Sequence, residues 1–265
     1  RTAISRWRCF VPGSRACVLF FVFLVFAGCV VSGNTACSAE AKLDEPVNEK
    51  VRDIVRELVG SPYQRSPLGE GRNETVYRED VFDCTTFVLT VAARMNALQM
   101  SASRMMKRIH YYPPGEVSFE KRLHFSTYRN RVSDYFADIT SQVGGELVRR
   151  NRVVLNKDRP DKGRLVAIDW EREVIVEYIP SAEVPGIVSE LPDVAGVGFV
   201  RREYFEKGLG IVHEGIVLDG RSLAHASSEQ GRVIKVGFLF FFILHDYTGV
   251  CFYKLKRVEA KNKEI

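Results

Sequence analysis

Val81-Phe82-Asp83-Cys84-Thr85-Thr86-Phe87-Val88 sets a cysteine where helical spacing of apolar residues begins. Phe87, Val88, Val91, Ala92, Met95 and Leu98 recur on one face, so Cys84 is expected to open a helix packed into a core. A helix start presents free amide N–H groups and the positive end of the dipole. A thiol there is expected to ionise more readily than the ~8.5 of a free cysteine, and the thiolate is the nucleophile. The same N–H groups suit a developing oxyanion. The plainer alternative is a small buried hydrophobe, a frequent fate of free cysteine.

Upstream lies a short helix signal. Val47, Val51, Ile54, Val55 and Leu58 share a face between Asp44 and Leu58, and Gly60 stops it. An extended loop follows from Ser61-Pro62-Tyr63 to Asp80. Beyond the Cys84 helix, Ala102 to Ile109 reads as a second helix, and Tyr111 to Tyr135 is rich in His, Arg and Tyr. The period then changes. Leu165–Ile168, Val174–Ile179, Gly196–Val200, Ile211–Leu218, Leu223–Ala226, Val233–Val236 and Val250–Leu255 are short β-rich runs between turn residues. Helices first and strands later indicate an α+β fold. The apolar run Phe238–Leu244 is too short to cross a bilayer and reads as a buried core segment.

The first forty residues read as a targeting segment, leaving 41–265 as one domain. Arg1, Arg6, Arg8 and Arg15 precede the apolar run Ala16 to Val31, and small residues follow, the order of a secretory signal. Phe26-Ala27-Gly28-Cys29 resembles a bacterial lipobox, which would lipidate Cys29. The alternatives are cleavage near Ala39 and retention of the run as a membrane anchor. The expected location is the periplasm or cell envelope, with membrane contact only through a lipid at Cys29. Of the six cysteines, Cys9, Cys17, Cys29 and Cys37 lie in or beside this segment, leaving Cys84 and Cys251 in the folded part. A disulfide between those two is the reading that would remove the nucleophile. Taking the four arginines from the net +5 leaves +1, which gives no basic surplus for nucleic acid.

A hairpin supplies the candidate base. Ile211-Val212-His213-Glu214-Gly215-Ile216-Val217 and Ser222-Leu223-Ala224-His225-Ala226 flank Asp219-Gly220. A two-residue Asp-Gly loop would pair His213 with Ala226 and put the histidines on opposite faces. A three-residue loop of Leu218-Asp219-Gly220, with Gly220 left-handed, pairs His213 directly with His225 on one face. The second register is the one expected. It provides a base for Cys84 and a group to orient that base. Each histidine alone would more often be structural. A metal is the main competitor for paired histidines, but neither His-Glu-x-x-His nor paired Cys-x-x-Cys occurs, so no metal is expected.

Taken together, Asp83-Cys84-Thr85, His213-Glu214-Gly215-Ile216 and His225-Ala226 resemble the motifs of NlpC-type papain-like cell-wall peptidases. The subgroup called N-acetylmuramoyl-L-alanine amidase-like is the nearer match. It is carried by Phe82-Asp83-Cys84-Thr85-Thr86-Phe87-Val88, Arg122-Leu123-His124-Phe125 and His225-Ala226-Ser227-Ser228, with Gly60-Ser61-Pro62-Tyr63 similar to a Tyr-bearing loop near the substrate. The resemblance implies a papain-like fold, its nucleophile-bearing helix packed on an antiparallel sheet. It also implies Cys84, His213 and His225 as catalytic residues and no cofactor. Tyr63 and Asp83 are the implied substrate-binding residues, against loop packing and N-capping as plainer roles. The implied substrate is peptidoglycan or a muropeptide, and the protein is expected to be a monomer. The implied reaction cleaves the amide between N-acetylmuramic acid, the anhydro form included, and L-alanine. Two rivals stand beside it: an endopeptidase cutting after γ-D-glutamate, and an inactive envelope-binding lipoprotein. His124 with Arg122, Arg129 and Arg131 reads as a solvated basic loop, with carboxylate or sugar binding as the alternative. His110 and His245 receive no role.

Overall fold

In the computed structural model, residues 35–69, 76–98 and 100–258 are described. The apolar run Ala16 to Val31 and the lipobox cysteine Cys29 lie outside them. Among the described residues no helix is long and apolar enough to cross a membrane. From Ala41 onward the chain forms one compact unit.

Helix α1 (Thr35–Leu58) begins earlier than the expected Asp44, while Leu58 is the expected end. Its stripe of Val51, Ile54, Val55 and Leu58 is buried. Gly60 follows at φ +95°, a conformation that favours glycine. The next loop is tied to the sheet, with Gly60 N–H donating to the Val233 carbonyl at 2.9 Å and Tyr63 N–H to that of Gly231 at 2.8 Å. Helix α2 (Cys84–Asn96) starts at the cysteine as its sequence indicates. It stops two residues before Leu98, which stands exposed outside the expected face. Helix α3 (Ala102–Ile109) keeps the expected bounds, and α4 (Ser126–Val132) rises from the His/Arg/Tyr-rich stretch.

The strands are β1 (Phe136–Asp138), β2 (Arg149–Leu155), β3 (Arg172–Pro180), β4 (Val194–Val200), β5 (Ile211–Leu218), β6 (Ser222–Ser227), β7 (Arg232–Gly237) and β8 (Gly249–Leu255). Short helices α5 (Thr140–Gly144), α6 (Val184–Ile187) and α7 (Phe238–Leu244) fall between them. All pairs are antiparallel, in the order β2-β3-β8-β4-β5-β6-β7, with β1 added on β8. The α+β expectation therefore stands.

Alternation along β5 and β6 splits the core into two layers. Ile216, Leu218, Ala224 and Ala226 pack with α1, α2 and α3. Val217 and Leu223 point the other way, onto Phe199, Phe238, Phe241 and Phe242. The Cys84 helix thus lies on one face of the sheet.

Two sequence expectations need correction, and one long strand lies outside them. Leu165–Ile168 is a bent loop rather than a strand, because its residues find no ladder partner. Strand β2, unmarked by its Arg-rich sequence Arg149-Arg150-Asn151-Arg152, forms because β3 pairs with it along its whole length. Phe238–Leu244 is only half core. Phe238, Phe241 and Phe242 are buried, whereas Phe240, Ile243 and Leu244 are exposed on the outer side of α7.

Candidate active site

Asp83 fixes where α2 begins. Its carboxylate accepts the Thr86 N–H at 2.7 Å, and the Thr86 hydroxyl accepts the Asp83 N–H at 2.9 Å, a closed capping box. The plainer role weighed for Asp83 is therefore real. It does not exclude the other, because Asp83 also lines a cavity beside the helix start. Burial raises the Asp83 carboxyl, and its bonds to Thr86 oppose the rise.

Cys84 is partly buried, and its sulfur lies against the backbone of β5. The Glu214 amide and the Thr85 hydroxyl hydrogen-bond it. Those bonds favour the thiolate, yet burial dominates, and the charges of Asp83 and Glu214 add to it. The thiol is pushed up to about 12. The expectation of a readily ionised thiol is corrected here: removal from water and two nearby carboxylates outweigh the helix start. The disulfide alternative also fails, because Cys84 and Cys251 are both free thiols. Cys251 is buried between β8 and β4, its sulfur 3.5 Å from the Gly198 carbonyl.

His213 and His225 meet directly, with His213 Nε2 2.9 Å from His225 Nδ1 and the rings nearly perpendicular at 88°. The register that brings them together differs from the expected one. Leu218 pairs with Ser222, Val217 with Leu223 and Ile216 with Ala224. Asp219 and Gly220 are both left-handed, at φ +54° and +60°, and Arg221 N–H closes the turn on the Leu218 carbonyl at 3.1 Å. Arg221 is then an extra residue before the ladder starts. It restores the parity that a bare two-residue turn would break. Continued along the strands, this register sets Gly215, not His213, opposite His225. The histidines are diagonal neighbours on one face, within reach of long side chains.

Gly215 makes that diagonal contact feasible. A Cβ there would lie 2.6 Å from the Ala224 carbonyl oxygen and 3.0 Å from His225 Cβ. Phe241 packs its ring over His225 at 4.6 Å and lies 6.0 Å from that of His213, and Phe199 stacks on His213 at 5.6 Å. Enclosure by these rings lowers both imidazoles, His213 to about 4 and His225 to about 3, with small repulsions from neighbouring histidines adding to the effect. Both are neutral at pH 7. His225 Nε2 is buried without a hydrogen-bond partner among the described residues.

Tyr63 is half-buried and bridges to Phe82, the second residue before Cys84. Burial raises its phenol first, followed by the charges of Cys84 and Asp83, so the ring belongs to the same site. The neighbouring cavity of about 390 Å³ is lined by Arg65, Asp83, Thr85, His110, Arg122, His124 and the loop Leu165–Ala167. Arg122 braces this wall by donating to the Leu68 and Gly69 carbonyls, and His124 Nε2 lies 2.7 Å from the Phe119 carbonyl. His110 is buried in the wall and is held well below the usual histidine range by burial.

The basic-loop expectation breaks apart. Arg131 is exposed, whereas Arg129 is fully buried, donating to Glu214 at 2.7 and 3.2 Å. Three more groups escaped the sequence reading: Glu214, Tyr253 and Tyr247. Tyr247 is buried beside Phe199 and within electrostatic reach of Cys84, and burial pushes its phenol up to about 12. His245, given no role from the sequence, stacks on Phe241 at 4.1 Å and adds positive repulsion to both site histidines. A strand glycine pair, Gly196 and Gly198, was the one available signal for Glu214 and Tyr253, since such glycines mark close approach of other groups.

Comparison with known proteins follows the same outline. A crystal structure of a Legionella pneumophila protein superposes with a TM-score of 0.65 at 21% identity, covering 84% of this chain and 99% of that one. An N-acetylmuramoyl-L-alanine amidase from Bacteroides uniformis gives 0.65 at 20% identity, covering 80% of this chain and 100% of that one. A second crystal structure of a Bacteroides uniformis N-acetylmuramoyl-L-alanine amidase gives 0.62 at 19%, covering 80% and 100%. At these identities the likeness establishes the fold. No curated protein matches. The family model AmiA-like, N-acetylmuramoyl-L-alanine amidase-like, matches residues 53–247, a span that includes Tyr63, Cys84, His213 and His225, and the chain belongs to that family.

Proposed function

We propose that this protein is a peptidoglycan hydrolase that cleaves the amide between N-acetylmuramic acid, the anhydro form included, and L-alanine, with Cys84 as nucleophile. Family membership supports the hydrolase class and the wall substrate. The single observation that carries the residue assignment is the 2.9 Å bond from His225 on β6 to His213 on β5, the strand whose Glu214 amide touches the Cys84 sulfur.

The resting site is a neutral thiol with neutral imidazoles, so proton transfer accompanies attack instead of preceding it. In this reading Nδ1 of His213 is the basic nitrogen, because Nε2 is engaged with His225 Nδ1 at 2.9 Å and, as the donor there, fixes the tautomer and ring orientation. Sulfur bonds to the carbonyl carbon while its proton passes to His213. Asp83 occupies the Thr86 N–H, so the oxyanion falls to the first amides of α2, those of Cys84 and Thr85. Collapse breaks the C–N bond, and His213 returns the proton to the leaving amine. Water then hydrolyses the thioester. The cavity beside Asp83 and Thr85 is of ordinary size for a small-molecule site and suits part of a muropeptide. Asp83 lines it and Tyr63 bridges to Phe82 just before the Cys84 helix; both are the substrate-binding candidates. The N-terminal order of basic, apolar and small residues supports export to the envelope, with Cys29 as lipid attachment site.

Mass spectrometry of defined muropeptides after incubation with the protein, with Cys84→Ala in parallel, tests the reading. A free stem peptide beginning at L-alanine is expected, and it should vanish in Cys84→Ala. A disaccharide-dipeptide product would instead make the enzyme an endopeptidase. Full activity in Cys84→Ala would remove the nucleophile assignment, and no cleavage at all would leave a binding protein.

A further inference from the structure

Beneath the candidate nucleophile lies a charged cluster that a core of this kind does not need. Arg129 and Glu214 are the most completely buried ion pair described, with side chains 0% and 1% exposed. Every polar atom of the Glu214 carboxylate is engaged. Oε1 accepts from Ser126 Oγ at 2.5 Å and Arg129 at 3.2 Å, and Oε2 accepts from Arg129 at 2.7 Å and the Tyr253 hydroxyl at 2.7 Å. Asn130 takes two further N–H groups of the guanidinium, at 2.9 and 3.1 Å, and the Phe136 ring covers it at 4.4 Å.

The sheet is shaped to admit this cluster. Tyr253 stands on β8 and Glu214 on β5, with β4 between them. Gly196 pairs with Tyr253 and Gly198 with Glu214, leaving β4 without side chains along that line. A Cβ on Gly196 would fall 1.9 Å from the Tyr253 ring. The tyrosine therefore crosses a whole strand to reach one carboxylate. A buried ion pair is seldom a net source of stability, because apolar residues of similar volume serve as well. Such an outlay of charge and glycine points to a role beyond packing.

That role is visible on the backbone of Glu214. Its side chain is anchored on the α2 face of the sheet, and its amide N–H bonds the Cys84 sulfur. We propose that Arg129 and Glu214 are positioning residues for Cys84: the fully bonded side chain of Glu214 holds its N–H on the sulfur, and the Arg129 guanidinium offsets the carboxylate charge facing the nucleophile. The role rests on Cys84 being the nucleophile. The ionisable groups that interact with the sulfur are Asp83 on its own helix, Glu214 on β5, Tyr63 on the loop after α1 and Tyr247 after α7. Of these, Asp83 and Glu214 are the anions that oppose a thiolate, and only Glu214 carries a buried countercharge. The arrangement therefore has a sign that can be reversed from either side.

The test is the pH dependence of Cys84 alkylation by iodoacetamide, in protein shown to be folded by circular dichroism. Glu214→Gln keeps the shape and leaves Arg129 unopposed, so the profile should move to lower pH by about one unit, the scale of a nearby buried charge. Arg129→Met leaves the carboxylate unopposed, so the profile should move to higher pH. Tyr253→Phe keeps both charges and most of the volume, and should move it upward by less. A purely structural pair predicts altered stability with coincident profiles. Coincident profiles, or displacements of the same sign for Glu214→Gln and Arg129→Met, would overturn the proposal. If only Tyr253→Phe and Glu214→Gln fold, their opposite signs decide the matter. Alkylation needs no substrate, so failure here is distinct from failure of the amidase reading, which Cys84→Ala turnover reports.

Discussion

His225 Nδ1 sits 2.9 Å from His213 Nε2, although the two residues are diagonal and not opposite in the β5–β6 ladder. The contact thus depends on ring orientation as much as on register. Phe241 and the empty position at Gly215 hold that orientation.

Replacing His225 with Ala should lower kcat on a defined muropeptide by about 10²-fold, the low end for a group in acid–base catalysis, and change KM little. The residue orients the base and is expected to contribute in the transition state more than in binding. Steady-state kinetics with the substrate that the wild type cleaves checks the split. An effect confined to KM would reassign His225 to substrate binding.

Gly215→Ala should be harmful on two counts. Its Cβ would meet the Ala224 carbonyl oxygen at 2.6 Å and His225 Cβ at 3.0 Å, so β5 and β6 must part. Overpacking of this kind costs about 1–3 kcal/mol. Urea unfolding should show that loss, and activity should fall further than stability does because the histidine pair separates. A variant as active as wild type would mean that the pair tolerates a shift of strand.

Stability should begin to decline on the acid side near the unfolded histidine value, above the ordinary carboxylate range. His213 and His225 have folded values of about 4 and about 3, against about 6.5 unfolded. The unfolded state therefore binds more protons between those limits. The stability from burying neutral rings is complete above about pH 6.5 and is lost as pH falls through 4 toward 3. Thermal melts from pH 7.5 to 4 should show it, and His225→Phe should flatten the slope. The same depressed value keeps His213 competent as a base down to about pH 4, which the acid limb of kcat/KM reports.

Asp83 has two roles that separate cleanly. Asp83→Asn keeps a good cap, since Asn and Asp rank together there, but removes a charge that opposes the Cys84 thiolate. Stability should hardly change, and the alkylation profile of Cys84 should move to lower pH. Asp83→Ala should show the same displacement together with a loss of about 1 kcal/mol in denaturant unfolding. If Asn shifts nothing, the Asp83 charge does not reach the sulfur.

Local chemistry made much of this legible in advance. Asp83-Cys84-Thr85-Thr86 carries its own cap and helix start, α3 keeps the bounds Ala102 to Ile109 read for it, and strands β3 to β8 announce themselves by β-rich runs between turns. The motif set around Cys84, His213 and His225 placed the chain in its family without any coordinates. Each of these signals is short-range: a cap spans three residues, a turn four, an alternation two. What lay beyond reach was anything set by partners far along the chain. Arg129 looks like a surface arginine until Glu214, 85 residues later, receives it in the core. Arg221 as the extra residue in the hairpin depends on how β6 also pairs with β7, and Leu165–Ala167 becomes a cavity wall only because other segments close against it. Cys84 shows the limit most plainly. Its helix position, read locally, favours a thiolate, but ionisation responds to the whole dielectric surroundings, and burial with two carboxylates reverses the sign.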